Sequence, residues 1–310
     1  MEAAMASPGS RPVPRQGGVR VELCTRGEVD PGFADLTRQA VAAVVAADAN
    51  AAGPVRLRIT VGKQLPGPTL IQVNLQVRGE PARIQISARS PYTAATAAFD
   101  RLERQIHRLA QSMDSATSPL PFRRRLAVPG EGAIARLKAV RLQTATAAQA
   151  AMRLSAMDYE AHLFTAADAG ADAVIYRSGY DQLRVTRQGT TSSSRIPAAI
   201  QVDTRPAAVL DPAEAAQRLA TNAVPFIFYT DRGTGRGNLL YRRHDGDLGL
   251  ISPITPDASP QPPSAAGAQA DAAAAAGHCE SRPSQDAVGM LLEIANSRTA
   301  NARSSTAAPV

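Results

Sequence analysis

Residues 19–113 alternate between two hydrophobic periods, and each switch marks an element. Val19, Val21 and Leu23 share one face of a short run and Arg20, Glu22 and Cys24 the other, the period of two of a half-buried strand. Asp30-Pro31 then starts a helix with Pro at its first position. Its apolar stripe is Phe33, Leu36, Ala40, Val41, Val44 and Val45, and Asn50 to Pro54 ends it. Three further alternating runs follow, Val55–Val61, Ile71–Arg78 and Ala82–Arg89, and their short connections predict antiparallel neighbours. A long helix is expected from Pro91 to Met113, with Tyr92, Ala95, Phe99, Leu102, Ile106 and Leu109 as its buried stripe. The order β-α-β-β-β-α describes one sheet with both helices on a single face.

The other face of that sheet then holds Arg56, Arg58, Thr60, Gln72, Asn74, Gln76, Arg78, Arg83, Gln85, Ser87 and Arg89, arginines and neutral donors without an acid. Arg101, Arg104, His107 and Arg108 extend the charge along the last helix, and Lys63 adds to it. A strand face in water is ordinarily polar, but ordinary surfaces intersperse both signs. A single-sign face suits a phosphate backbone, whose counterions are released on binding. It carries no aromatics on which single-stranded bases would stack. The expected ligand is folded RNA, held by shape and backbone.

Beyond residue 143 the chain repeats itself. A shift of 65 aligns 151–177 (AMRLSAMDYEAHLFTAADAGADAVIYR) with 216–242 (AQRLATNAVPFIFYTDRGTGRGNLLYR) without a gap, and Arg153/Arg218, Leu154/Leu219, Thr165/Thr230, Gly170/Gly235, Tyr176/Tyr241 and Arg177/Arg242 are identical. Each copy opens on a capping-box pattern, Thr146 to Gln149 and Asp211 to Glu214. Each reads as a helix, a short strand, a turn and a hairpin. One face of so small a sheet packs on its helix and the other needs a cover. Phe226, Phe228, Leu240 and Leu248, with Phe164 and Tyr176 of the first copy, are the candidate association residues. The fold class is thus α+β, a β-α-β-β-β-α domain followed by two small tandem α+β domains. The expected boundaries are a basic arm at 1–18, the first domain at 19–113, a basic flexible linker at 114–143, copy 1 at 144–187, a linker at 188–195, copy 2 at 196–253, and a low-complexity tail at 254–310 with a candidate short helix at Gln285–Ala295.

Charge sharpens this division. Residues 1–113 hold 14 Arg and Lys against 9 Asp and Glu, and residues 114–143 hold 6 against 2, so the whole formal excess of +7 lies in the first half. Lys63 and Lys138 are the only lysines, and arginine abundance follows from an alanine-rich, GC-rich composition, so placement matters more than number. Cys24 and Cys279 are too few for a disulfide framework, and cytoplasm is the expected compartment. No apolar run approaches the roughly 18 residues of a membrane span, and the N-terminus has no secretory h-region.

Two stretches resemble the long-form ribosome hibernation promoting factors, bacterial proteins that bind the small subunit during stasis. They are YTAATAAFDRLERQIHRL (92–109) and DPAEAAQRL with FIFYTDRGTGRGNLLYRRHDGDLGLISP (211–253). The resemblance implies an N-terminal domain seated on 16S rRNA in the mRNA and tRNA channel of the small subunit, blocking translation and protecting idle 70S ribosomes. Its RNA contacts would fall at Arg56, Arg58, Lys63, Arg78, Arg83, Arg89, Arg101, Arg104 and Arg108. Ordinary long forms carry one C-terminal domain, whose homodimer joins two ribosomes. The tandem here resembles a mycobacterial stasis-associated branch, and its two copies are expected to pair within one chain, favouring single 70S particles over 100S pairs. The first copy has lost the Arg-Arg-x-Asp-Gly turn and reads Tyr176-Arg-Ser-Gly-Tyr-Asp.

Catalytic and cofactor chemistry is not expected. DRGTGRGN (231–238) runs from strand to strand and is no nucleotide loop. His278-Cys279 stands alone, and His107, His162 and His244 lack partners for metal or acid–base work. The competing readings are a general RNA- or DNA-binding stress regulator using the same basic face, and a small-molecule-binding or scaffold protein built on the repeat.

Overall fold

The computed structural model describes residues 19–48, 50–62, 68–111, 132–179, 182–189, 196–222, 224–244 and 246–254. They fall into two compact units, residues 19–111 with Ala156–Asp158, and the remainder of 132–254.

The first unit runs β1 (Val21–Arg26), α1 (Pro31–Ala46), β2 (Ala51–Val61), β3 (Thr69–Val77), β4 (Glu80–Ala88) and α2 (Pro91–Gln111). Its sheet order is β1-β2-β3-β4. β1 lies parallel to β2 because α1 forms the crossover between them, and the remaining pairs are antiparallel. The Asp30 carboxylate accepts from the Phe33 N–H at 2.7 Å, which caps α1 where Asp-Pro predicts it. The two-residue β3–β4 turn is Arg78-Gly79, with φ of 53° and 83°, the doubly left-handed geometry that matches strand twist. Val55, Leu57, Ile59, Ile71, Val73 and Ile84 from the sheet bury against Val41 and Val45 of α1 and Ala95, Phe99, Leu102 and Ile106 of α2. Both helices therefore cover one face and leave the other open.

The second unit holds two five-stranded sheets. Its elements are β5 (Ile134–Val140), β6 (Thr144–Ala145), α3 (Ala147–Ala156), β7 (Ala161–Ala166), β8 (Asp172–Arg177), β9 (Leu183–Arg187), β10 (Ile200–Val202), β11 (Ala208–Leu210), α4 (Pro212–Thr221), β12 (Phe226–Asp231), β13 (Gly237–Arg242) and β14 (Leu248–Pro253). The sheet orders are β10-β9-β8-β7-β6 and β11-β12-β13-β14-β5. The same 65-residue shift maps one sheet on the other and exposes a reciprocal exchange. β5 precedes the first repeat but lies parallel to β14 of the second, while β10 precedes the second repeat but lies parallel to β9 of the first. Two boundaries change accordingly. Ile134–Val140, assigned to a flexible linker, is a strand. The strand at 200–202, assigned to copy 2, completes the sheet of copy 1. Residues 123–125, 278–279 and 285–295 lie outside the described residues, as does Asp245 of the β13–β14 turn.

Both capping boxes form. The Asp211 carboxylate accepts from the Glu214 N–H at 2.8 Å while Glu214 accepts from the Asp211 N–H at 2.9 Å. Thr146 and Gln149 make the same exchange at 3.2 and 2.9 Å. The repeated arginines serve the same helices. Arg242 donates to the Leu219 carbonyl in the last turn of α4 and to the Asn222 and Val224 carbonyls beyond it, and Arg177 donates to the Tyr159 carbonyl beyond α3. The bond the two copies share is to the equivalent Tyr159 and Val224 carbonyls, in the segment that follows each helix, which accounts for an arginine at both positions.

Candidate nucleic-acid and repeat interfaces

Strand register arranges the open face of the first unit in rows. Glu22, Arg56, Asn74 and Arg83 form one, and Cys24, Arg58, Gln72 and Gln85 the next. Arg26, Thr60, Leu70 and Ser87 form a third. The face is not free of acid, as β2–β4 alone suggest. β1 brings Glu22 beside Arg56, and the Arg56 Nε donates to its carboxylate at 3.0 Å. Arg26 joins the basic set. Arg58 sits mid-sheet, partly buried, and makes no ion pair among the described residues. Arg83 is partly buried, its Nε donating to the Met157 carbonyl at 2.9 Å. Arg89 and Arg104 are exposed, and Arg108 donates to the Gln105 side chain at 2.8 Å.

Two candidates leave this surface and one is not described. Arg101 is 5% exposed, with its Nη2 and Nε donating to the Asp158 carboxylate at 2.7 and 3.0 Å, so it is an internal ion pair. Arg78 is carried by its turn toward α2, where it donates to the Ala110 carbonyl at 3.2 Å. Lys63 lies outside the described residues.

In the second unit one apolar cluster draws on both sheets. Leu163 and Val174 come from the first repeat and Phe228 and Leu239 from the second, with Ala207 between them and Leu142, Ala161, Tyr176, Phe226 and Ile251 around them. The Tyr176 and Phe226 rings meet edge to face at 5.3 Å. Leu163/Phe228, Val174/Leu239, Leu142/Ala207 and Ala161/Phe226 are equivalent positions under the 65-residue shift, as in an isologous contact about a twofold axis. Polar groups flank it. Gln188 donates to the Thr230 hydroxyl at 3.3 Å and the Gly235 carbonyl at 2.9 Å. Burial first, then the hydrogen bond to Asp203, push the Tyr176 pKa up.

Of the expected association residues, Phe226, Phe228 and Tyr176 lie in this cluster. Leu240, Leu248 and Phe164 do not. They face the opposite way, Leu240 and Leu248 with Leu219 of α4 and Phe164 with Leu154 of α3. Phe228 pairs in register with Leu239, not Leu240. The residues missed, Leu163, Val174 and Leu239, are apolar at both equivalent positions, but so are Ile175 and Leu240 beside them, and this signal does not separate the two faces.

Comparison with known proteins follows these boundaries. The family described as "Sigma 54 modulation/S30EA ribosomal protein C terminus" matches residues 130–181 and again 197–250, each match beginning ahead of the exchanged strand. The "Dormancy associated translation inhibitor" of Mycobacterium tuberculosis, in strains CDC 1551 / Oshkosh and ATCC 25618 / H37Rv, is 41% identical over 249 residues, 75% of this chain and 88% of that protein. The chain belongs to the long-form ribosome hibernation promoting factor family. Among solved structures, a ribosomal subunit interface protein from Coxiella burnetii is similar at 15% identity over 28% of this chain and 92% of that one, with a TM-score of 0.24. The N-terminal domain of Thermus thermophilus Protein Y is similar at 16% identity over 30% and 98%, with a TM-score of 0.25. Among the described residues of this family member no helix is long and apolar enough to cross a membrane, and no three His, Cys, Asp or Glu side chains gather in a way that could hold a metal ion.

Proposed function

We propose that this protein is a ribosome hibernation factor. It acts by binding, with the cytoplasmic 70S ribosome as its partner. Its N-terminal unit lies on 16S rRNA in the mRNA and tRNA channel of the small subunit through Arg26, Arg56, Arg58, Arg83, Arg89, Arg104 and Arg108. Occupying that channel stops translation and keeps the subunits of an idle ribosome together. The similarity to a dormancy-associated translation inhibitor along three-quarters of the chain carries this reading. The open arginine rows support it physically, because neutralising phosphates supplies most of the affinity in sequence-independent binding. A general nucleic-acid-binding regulator would use the same face. Binding of the purified protein to small subunits, bulk RNA and duplex DNA separates the two. Preference for the small subunit, displaced by mRNA and initiator tRNA, is the expected result, and equal affinity for all three rejects hibernation.

The tandem repeats pair with one another in one chain. The apolar cluster drawn from equivalent positions of both repeats supports this, because it covers the sheet face that a second chain would otherwise cover. A chain whose repeats are so engaged has no matching face left for another. It therefore holds single 70S particles and does not link two.

A further inference from the structure

In a twofold pairing of identical units, a residue on the axis meets its own copy. Here the residues that meet are different. The 65-residue shift makes Asp172 and Gly237 equivalent, and they touch: the Gly237 N–H donates to the Asp172 carboxylate at 2.9 Å. That carboxylate also accepts from Arg236 Nε at 2.8 Å, Arg236 Nη2 at 3.1 Å and the Thr165 hydroxyl at 3.1 Å. The Asp172 side chain is 2% exposed. A Cβ at position 237 would stand 2.7 Å from the Asp172 Cβ and 2.8 Å from the Phe228 ring, so only glycine fits. The equivalent of Arg236 in the first repeat is Ala171. The first repeat thus supplies a carboxylate and no guanidinium, and the second a guanidinium and a gap.

We propose that Asp172, Arg236 and Gly237 form a one-way lock that joins the first repeat to the second and bars either from pairing with its own kind in another chain. Two first repeats would bring their Asp172 Cβ atoms to about the 2.7 Å separation that position 237 cannot accept, and would bury two carboxylates with no guanidinium between them. Two second repeats would leave both Arg236 side chains without a carboxylate and two glycines facing a void. For Asp172, 2% exposed, an uncompensated charge is strongly destabilising, while Arg236, 30% exposed, loses its partner at smaller cost; such mismatches select partners by rejecting the wrong one. The neighbouring pairs are unequal too: Leu163 stands where the second repeat has Phe228, and Ala161 where it has Phe226. The lock rests on the pairing within one chain proposed above and specifies what enforces it.

The test uses the full chain in three forms, followed by native mass spectrometry and thermal unfolding. They are the wild type, R236A/G237D with an acid at both poles, and a transposed chain carrying L163F, A171R, D172G, F228L, R236A and G237D. The wild type and the transposed chain are expected as single chains. R236A/G237D is expected to melt roughly 10 °C or more below the wild type, and the transposed chain to recover most of that loss. R236A/G237D melting with the wild type, or a transposed chain melting as low as R236A/G237D, overturns the lock while a single-chain wild type leaves the pairing intact. A wild type that dimerises through residues 132–254 rejects the pairing itself.

Discussion

Glu22 is the acid in the described rows of this arginine-bearing face, and removing its charge should strengthen binding to the ribosome. The Arg56–Glu22 pair spans 3.0 Å with the side chains 70% and 56% exposed, so water and salt screen it. Such pairs are worth no more than about 1 kcal/mol, roughly fivefold in an equilibrium constant. A phosphate that engages Arg56 must displace Glu22 or accommodate it, whereas Arg58 in the next row has, among the described residues, no carboxylate to release. Glu22→Gln should therefore tighten binding to small subunits by up to about fivefold at low salt, with the gain shrinking as salt rises. Arg58→Ala should lower the slope of log K against log salt by about 0.7 to 0.9, the contribution of one phosphate contact. Arg56→Ala should lower it by less. Titration of labelled small subunits by fluorescence anisotropy across a salt series measures all three slopes. Equal slopes for Arg56→Ala and Arg58→Ala, with Glu22→Gln indistinguishable from wild type, would refute the assignment of this face.

Three other outcomes follow from the second unit. Phe228→Ala should destabilise it by roughly 3–5 kcal/mol in urea unfolding, because a buried ring is lost from between the sheets, while Val209→Ala, on the exposed side of β11, should change little. Asp211→Ala should cost about 1 kcal/mol by removing the capping-box acceptor at α4, and Asp211→Asn should restore most of it. His162 titrates at about 4, lowered from 6.5 first by burial and then by Arg153. Because the unfolded chain takes up its proton first, stability should be unaffected above pH 6.5 and fall as pH drops toward 4, by at most about 3 kcal/mol. His162→Gln should remove that pH dependence.

Sequence legibility followed the length over which a pattern persists. The long amphipathic α2, the alternating β2–β4 and the two capping boxes are local signals, and the structure bears them out as elements. Inner and outer faces in the repeats were not legible. FIFY and NLLY are apolar at consecutive positions, so a period of two cannot be read, and only the pairing of Phe228 with Leu239 assigns the faces. β5 was hidden because its partner β14 lies more than a hundred residues onward and its Arg136 and Lys138 read as linker charge. The 65-residue shift places it on β10 and could have revealed it. Arg101 looked like a surface charge because its partner, Asp158, lies 57 residues away. Glu22 was visible in β1, but its place beside Arg56 depends on a parallel neighbour that only the crossover through α1 creates.

Sedimentation of purified 70S ribosomes with saturating protein tests the central claim most directly. The proposal predicts protection of the 70S peak against dissociation at low magnesium, with the protein co-sedimenting at one chain per ribosome and no growth of a 100S peak. A dominant 100S peak, or 70S ribosomes that dissociate as readily with the protein as without it, would contradict it.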